Sequence, residues 1–141
     1  MDTLNEEIRG LLAQYGKAVW DKDLDSFLEL YDQEICVYDL WNVWSYDGLE
    51  AWGKMVKGWF SGLQEDRDDV SFLDTIVKAN QDFATLYTLV TYKGISATGV
   101  ELRHMKCRMT WVLKKKNGLW RIIHEHSSCP VKMADMQLML E

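Results

Sequence analysis

The spacing of hydrophobic positions predicts two helices at the start of this chain. Between residues 4 and 19, apolar side chains recur every three or four residues, as they do on one face of a helix. Thr3 and Glu6 have the spacing of a capping box, and Asp23 can cap a second, shorter helix. The positions predicted to face inward on the first helix are Leu4, Ile8, Leu11, Leu12, Tyr15, Ala18 and Val19.

From Ile35 the spacing of apolar positions falls to two, which is typical of a strand. Ile35, Val37 and Asp39 then share one side, so a carboxyl group at the end of this strand should point toward the core. Asp47 and Gly48 follow, and the apolar stripe after them predicts a third helix that ends near Leu63.

The second half of the chain has the pattern of four long strands separated by turn residues. Short connections of this kind favour antiparallel neighbours. The predicted strands span residues 70–79, 83–95, 100–115 and 119–128. The methionine-rich tail, residues 131–141, is consistent with a short docking helix or with a segment that packs on a partner subunit, and the pattern does not choose between them.

Helices first and long strands afterwards predict a single α+β domain over residues 1–141, with its core at about 3–130. We expect a curved antiparallel sheet wrapped around a long N-terminal helix and two shorter helices. Such a sheet leaves a cone whose open end is a natural ligand site.

The composition excludes some classes of function but does not identify the function. The net charge of -6 and the pI near 5.0 exclude nucleic acid as an expected partner, because phosphate binding needs lysine and arginine. No apolar run approaches the roughly 20 residues that cross a bilayer, so we expect no membrane partner. Three cysteines without paired motif spacing favour a reducing, cytoplasmic location.

Tyr15 and Asp39 are the leading candidates for chemistry. Among Ile35 and Val37, the carboxyl group of Asp39 should lose hydration, which raises its pKa toward values useful for acid-base catalysis. A tyrosine hydroxyl in the same cavity can donate a hydrogen bond to the substrate. The alternatives are a carboxylate that accepts backbone N–H groups and a core tyrosine.

The last strand carries two further candidates, His124 and His126. They alternate with Trp120 and Ile122, which look like core residues, so both imidazoles should turn toward the cavity. His-x-His can also bind a metal, but the motif is too short to be specific, and we expect neither a metal nor a cofactor.

The remaining candidates are ligand-binding residues. Arg103 lies on an apolar strand face, so it needs a carboxylate, either Glu101 in a salt bridge or an acidic group of the ligand. Of the seven tryptophans, Trp41, Trp44, Trp59 and Trp111 are expected to bind the ligand, although most tryptophans at helical spacing belong to cores. Trp41 and Trp44 follow Asp39 in a loop, which favours a lid or a subunit contact for them.

Two stretches resemble the nuclear transport factor 2-like superfamily, and most closely its SnoaL-like members. They are residues 22–31, KDLDSFLELY, and residues 117–128, NGLWRIIHEHSS, and the resemblance covers roughly residues 5–130. It implies a cystatin-like roll. This fold serves isomerases, cyclases, hydrolases and non-catalytic binding domains, so function must come from the site.

Within this superfamily, the ketosteroid isomerases use a first-helix tyrosine as a hydrogen-bond donor and an aspartate at the end of the first strand as the base. Tyr15 and Asp39 fall at the matching places. The second, protonated aspartate of those enzymes is replaced here by Cys107 or Met109. The closing strand also looks like the association domain of calcium/calmodulin-dependent kinase II, an oligomerisation module.

These observations support two hypotheses. In the first, the protein binds a small apolar or aromatic ligand, with or without a carboxylate, and acts as a cofactor-independent isomerase or cyclase. Asp39 would be the base, Tyr15 the donor and His124 a second acid-base group. In the second, it is a non-catalytic binding or assembly module. Leu102, Thr110 and Val112 on the outward sheet face favour a homodimer in either case.

Overall fold

A computed structural model describes residues 3–141 of the chain. Within that range the chain forms three helices and six strands. The helices are α1 (Thr3–Asp21), α2 (Leu24–Leu28) and α3 (Leu49–Leu63), and the strands are β1 (Tyr31–Tyr38), β2 (Tyr46–Asp47), β3 (Arg67–Ala79), β4 (Phe83–Ile95), β5 (Glu101–Lys116) and β6 (Leu119–Ser128). The first two residues of the predicted domain lie outside the described range.

The strands form one sheet in the order β2-β1-β6-β5-β4-β3. Neighbouring strands in this sheet are antiparallel except for β1 and β6, which run parallel. The last strand of the chain, β6, therefore lies beside the first, β1. The predicted α+β fold, with a curved sheet and helices packed against one face, is confirmed.

Register shifts bend the long strands. In β3 the shift lies between Leu73 and Ile76, and Asp74 there adopts a left-handed backbone with φ of 56°. In β6 the shift leaves Ile123 without a partner, because Val112 pairs with His124 while Leu113 pairs with Ile122. One extra residue reverses the inward and outward positions beyond it.

Phe27 on α2 is the centre of the aromatic core. Its side chain is fully buried, and its ring contacts four other aromatic rings at centroid distances of 4.9–6.0 Å. The four neighbours are Tyr15, Tyr31, Trp59 and Phe60. The short helix α2 therefore joins α1, β1 and α3 through one side chain.

The C-terminal tail packs against its own sheet without forming a helix. Val131 and Leu138 form an isolated antiparallel bridge, and the Lys106 N–H donates to the Leu140 carbonyl at 2.7 Å. Of the two alternatives left open for the tail, the docking helix is therefore wrong, and packing on a partner subunit stays a prediction. No helix within residues 3–141 is long and apolar enough to cross a membrane.

The position of Phe27 leads to a stability prediction. Phe27→Ala should lower the free energy of unfolding by about 3–5 kcal/mol, because the cavity it leaves is lined by rings that cannot all collapse into it. Urea denaturation measures the change. Met133→Ala is the control, since Met133 is 94% exposed and should cost less than about 1 kcal/mol. Equal losses would contradict the central role of Phe27.

Candidate functional site

A cavity of about 560 Å³ lies between the helices and the inner face of the sheet. This volume is typical of sites that hold a small organic ligand. Half of the residues in its wall are tyrosine, tryptophan, methionine or cysteine, and seven of the eighteen are polar or charged. The lining residues are Tyr15, Asp39, Leu40, Trp41, Asn42, Tyr46, Trp52, Met55, Trp59, Asp68, Tyr92, Arg103, His104, Met105, Cys107, Glu125, Ser127 and Leu140.

Glu125 on β6 is the most deeply buried carboxyl group of the cavity wall, and its residue is 2% exposed. The Tyr31 hydroxyl donates to its Oε1 at 2.6 Å, and Trp111 Nε1 donates to the same oxygen at 2.9 Å. Loss of hydration raises the pKa of Glu125 to about 7, although both donors act in the opposite direction. Glu125 can therefore carry a proton near neutral pH.

Asp39 follows the last residue of β1 and lines the same cavity. Burial raises its pKa above the ordinary value, and a hydrogen bond from the Leu40 backbone lowers the pKa by a smaller amount. Its negative charge also contributes to the raised pKa of Glu125. The two carboxyl groups therefore interact, and a proton bound to one makes ionisation of the other easier.

A pair of tyrosine hydroxyl groups completes the polar part of the wall. Tyr15 on α1 and Tyr92 on β4 bring their hydroxyl oxygens to 2.7 Å. One hydroxyl donates its proton within this pair, so the other keeps an O–H that can be given to a ligand. Burial raises the pKa of both tyrosines well above the usual value, and both hydroxyls stay protonated.

Two indoles in the wall differ in their hydrogen bonding. Trp59 Nε1 donates to Asp68 Oδ2 at 2.7 Å. Trp52 is 2% exposed, and its Nε1 has no hydrogen-bond acceptor among residues 3–141. The indole of Trp52 lowers the pKa of Tyr31, so the Tyr31 hydroxyl lies near Trp52 Nε1. The two groups do not have the geometry of a hydrogen bond. A buried donor without an acceptor is costly, which favours a ligand that supplies one.

The predicted orientation of His124 and His126 toward the cavity is wrong. Both lie on the outward face, where the Tyr38 ring contacts them at centroid distances of 4.9 and 5.5 Å, and His124 Nδ1 lies 2.8 Å from the Cys36 carbonyl oxygen. The unpaired Ile123 is the reason, because it reverses the alternation and turns Glu125 and Ser127 inward instead.

The four tryptophans predicted to bind a ligand separate into two groups. Trp41 and Trp59 line the cavity, and their ligand-binding role stays a prediction. Trp44 does not line it and is 96% exposed, so its expected role as a lid or subunit contact stays a prediction. Trp111 is also absent from the wall, because its indole is fully buried behind Glu125 and holds that carboxyl group.

Arg103 lines the cavity, but the expected salt bridge with Glu101 does not form among the described residues. Glu101 instead lies 3.7 Å from Lys93 and 3.8 Å from His104. No group of three or more metal-ligating side chains occurs within residues 3–141.

Sequence reasoning missed Glu125 and Tyr92. Ile122 and Ile123 are adjacent apolar residues in a strand that otherwise alternates, and this irregularity was the available signal for a bulge. Tyr92 continues the alternation of Ala84, Leu86 and Val90 along β4, so strand periodicity was the available signal for its inward side.

A family model described as the SnoaL-like domain matches residues 8–132 of this chain. A search of curated proteins finds no match. Solved structures share the fold. An NTF2-like protein of unknown function from Pseudomonas putida is 23% identical with a TM-score of 0.86, covering 100% of this chain and 97% of its own.

Two further structures are similar at lower identity. A protein of unknown function with a cystatin-like fold from Nostoc punctiforme is 18% identical, with a TM-score of 0.72 and coverage of 90% and 92% of the two chains. A structure described as a calcium/calmodulin-dependent protein kinase II association domain, from Xanthomonas campestris, is also 18% identical, with a TM-score of 0.70 and coverage of 86% and 84%.

The buried carboxyl group of Glu125 predicts a pH-dependent stability. Its pKa rises from 4.5 to about 7 on folding, so the folded state binds this proton more tightly than the unfolded state. Its contribution therefore falls as pH rises from about 4.5 to about 7, and the full penalty, on the order of 3 kcal/mol, is present above that range. Glu125→Gln should remove this loss.

Urea unfolding of the wild type and Glu125→Gln at several pH values measures the difference. Glu65→Gln, at an exposed glutamate, is the matched control and should follow the wild type throughout. Parallel stability curves for the wild type and Glu125→Gln would show that burial does not perturb this carboxyl group.

Proposed function

Because this chain belongs to the SnoaL-like domain family, whose model covers residues 8–132, we propose that it binds a small apolar carbonyl compound and moves a proton on it without a cofactor. The observation that carries this proposal is one aromatic cavity that holds two carboxyl groups, Asp39 and Glu125, together with the Tyr15–Tyr92 hydroxyl pair. Two interacting acids with different surroundings are suited to separate acid and base roles.

The proposed base is Asp39. It is the less buried of the two carboxyl groups and has fewer hydrogen-bond donors, so its oxygens remain available to a ligand. Asp39 would take a proton from the carbon next to the substrate carbonyl. The carbonyl oxygen would then gain negative charge, which a neutral hydroxyl donor in a dry cavity stabilises strongly. The free O–H of the Tyr15–Tyr92 pair supplies that donor.

Glu125 takes the second acid-base role that the sequence suggested for His124. With a pKa of about 7, a large part of this group is protonated at neutral pH, and it can return a proton to the substrate at a different atom. Removal at one position and delivery at another is the net change in an isomerisation. The starting state returns when the proton on Asp39 passes to Glu125, directly or through solvent water, so no other reactant is needed.

The proposal is tested by hydrogen-deuterium exchange of a probe ketone. We use 2-tetralone, a bicyclic ketone with acidic hydrogens, in D2O with NMR detection. The wild type should accelerate exchange, and Asp39→Asn should reduce the enzymatic rate on the order of a hundredfold or more. Asp69→Asn, at an exposed aspartate on β3, is the matched control and should exchange at the wild-type rate.

The pH profile of the same reaction provides a second readout. Exchange should decline as pH rises through about 7, because ionised Glu125 then adds a negative charge that disfavours the enolate in the same cavity, and Glu125→Gln should lack this decline. Wild-type exchange no faster than the buffer, or an undiminished rate in Asp39→Asn, would refute the catalytic part of the proposal.

The outward face of the sheet favours a second function, assembly. Several large apolar side chains are exposed on it, which is unusual for a face that remains in water. They are Tyr38, Leu73, Ile76, Phe83, Tyr87 and Leu102. We propose that two copies of the chain pair through this face as a homodimer, which leaves the cavity of each copy open.

A sedimentation measurement at micromolar concentration tests the homodimer. Tyr87→Glu places a charge at the centre of the apolar face and should convert the dimer to a monomer, because an unpaired charge would be buried in the interface. Met133→Glu, at a residue in the tail that is 94% exposed, is the control and should leave the dimer intact. A wild-type protein that sediments only as a monomer would contradict the assembly proposal.

A further inference from the structure

Arg103 differs from the other arginines of the chain in having no partner. The sequence contains five arginines, and within residues 3–141 four of them donate a hydrogen bond to a side chain or a backbone carbonyl. Arg103 has neither a hydrogen bond nor an ion pair in that range. Its guanidinium therefore has all of its donors available at the wall of the cavity.

Nearby carboxylates do not explain this arginine. Glu101 contacts Lys93 and His104, and the Glu141 carboxylate lies 3.8 Å from His104 Nε2. Both acidic side chains of the region are therefore directed to other cations. Asp39 and Glu125 line the same cavity, but neither forms an ion pair with Arg103 among the described residues.

The backbone beside Arg103 is shaped to receive its side chain. Arg103 pairs with Gly94 across β4 and β5. A Cβ added at Gly94 would lie 2.8 Å from Arg103 Cζ and 3.0 Å from Nη1. The guanidinium therefore lies directly over a residue without a side chain, and any larger residue at position 94 would push it away. This contact places the guanidinium of Arg103, an exposed residue, at the cavity wall without using its donors.

We propose that Arg103 binds the carboxylate of the cavity's ligand, so that this site takes an aromatic or polycyclic acid in preference to the neutral analogue. A planar guanidinium can donate two parallel hydrogen bonds to a carboxylate. The aromatic wall then holds the apolar body of the ligand. The inference rests on the cavity being the ligand site of the proposed function, but it does not require catalysis.

The charges inside the cavity also orient such a ligand. Asp39 and Glu125 repel a second carboxylate, so the acidic end of the ligand is disfavoured beside them and favoured at Arg103. The apolar end then lies against the tyrosine pair and the indoles. A neutral ligand lacks this orienting interaction.

The experiment compares 2-naphthoate with neutral 2-naphthamide by isothermal titration calorimetry. The wild type should bind 2-naphthoate about tenfold or more tightly than 2-naphthamide. Arg103→Gln should remove this preference, and Arg103→Lys should keep part of it, because an ammonium group retains the charge without the two-pronged geometry. Higher salt should reduce the wild-type preference.

One variant separates the effect of the guanidinium's position from the effect of its charge, and a second serves as the control. Gly94→Ala retains Arg103 but displaces it, so the preference should fall although the net charge is unchanged. Arg108→Gln is the matched control, because this arginine is exposed on the same strand and already donates to Ser128 Oγ at 3.2 Å. It should keep the full preference.

Equal affinity of the wild type for the two probes would overturn the inference, and so would an unchanged preference in Arg103→Gln. Binding of neither probe at millimolar concentration would overturn it together with the cavity as a ligand site. A preference for 2-naphthoate in a protein that fails to exchange 2-tetralone would keep this inference and refute only the catalytic proposal.

Discussion

The unpaired residue Ile123 in β6 is the constraint on which the rest of the site depends. Before it, Trp120 and Ile122 face the core, and after it, Glu125 and Ser127 do so. Without this shift the cavity wall would contain two imidazoles in place of a carboxyl group. A local irregularity in strand pairing therefore decides which titratable side chains line the cavity, while the architecture around it is unaffected.

Once Glu125 faces inward, its surroundings must compensate for its lost hydration. The Tyr31 hydroxyl comes from β1 and the Trp111 indole from β5, so both strands that flank β6 supply a donor to the same oxygen. The remaining oxygen has no donor in the described part of the chain. The carboxyl group is thus held in position while one side of it stays available, which is the arrangement a proton-transfer group requires.

The sequence predicted features that depend on near neighbours better than features that depend on contacts between distant segments. Helical periodicity placed Tyr15 inside, and strand alternation placed Asp39 on the same side as Val37, because both patterns depend only on near neighbours. Alternation failed at His124, since a bulge depends on the pairing of β5 with β6. The partners of Tyr92, Trp111 and Glu125 come from distant segments, and no local pattern contains them.

Trp41 and Trp44 show the same limit within one loop. The composition of the loop predicted a single role for both indoles, but only Trp41 reaches the cavity. The loop has no regular period, so the direction of each side chain follows from turns such as the one at Asn42, where φ is 68°. Such turns are weakly encoded in a single sequence.

The docked tail has a practical consequence for work with this protein. Leu140 forms part of the cavity wall, and its carbonyl accepts a hydrogen bond from β5. An affinity tag fused after Glu141 would therefore begin beside the cavity and would crowd its entrance. A purification tag is therefore better placed at the N-terminus. In crystals of C-terminally tagged protein, electron density at the cavity entrance could come from the tag.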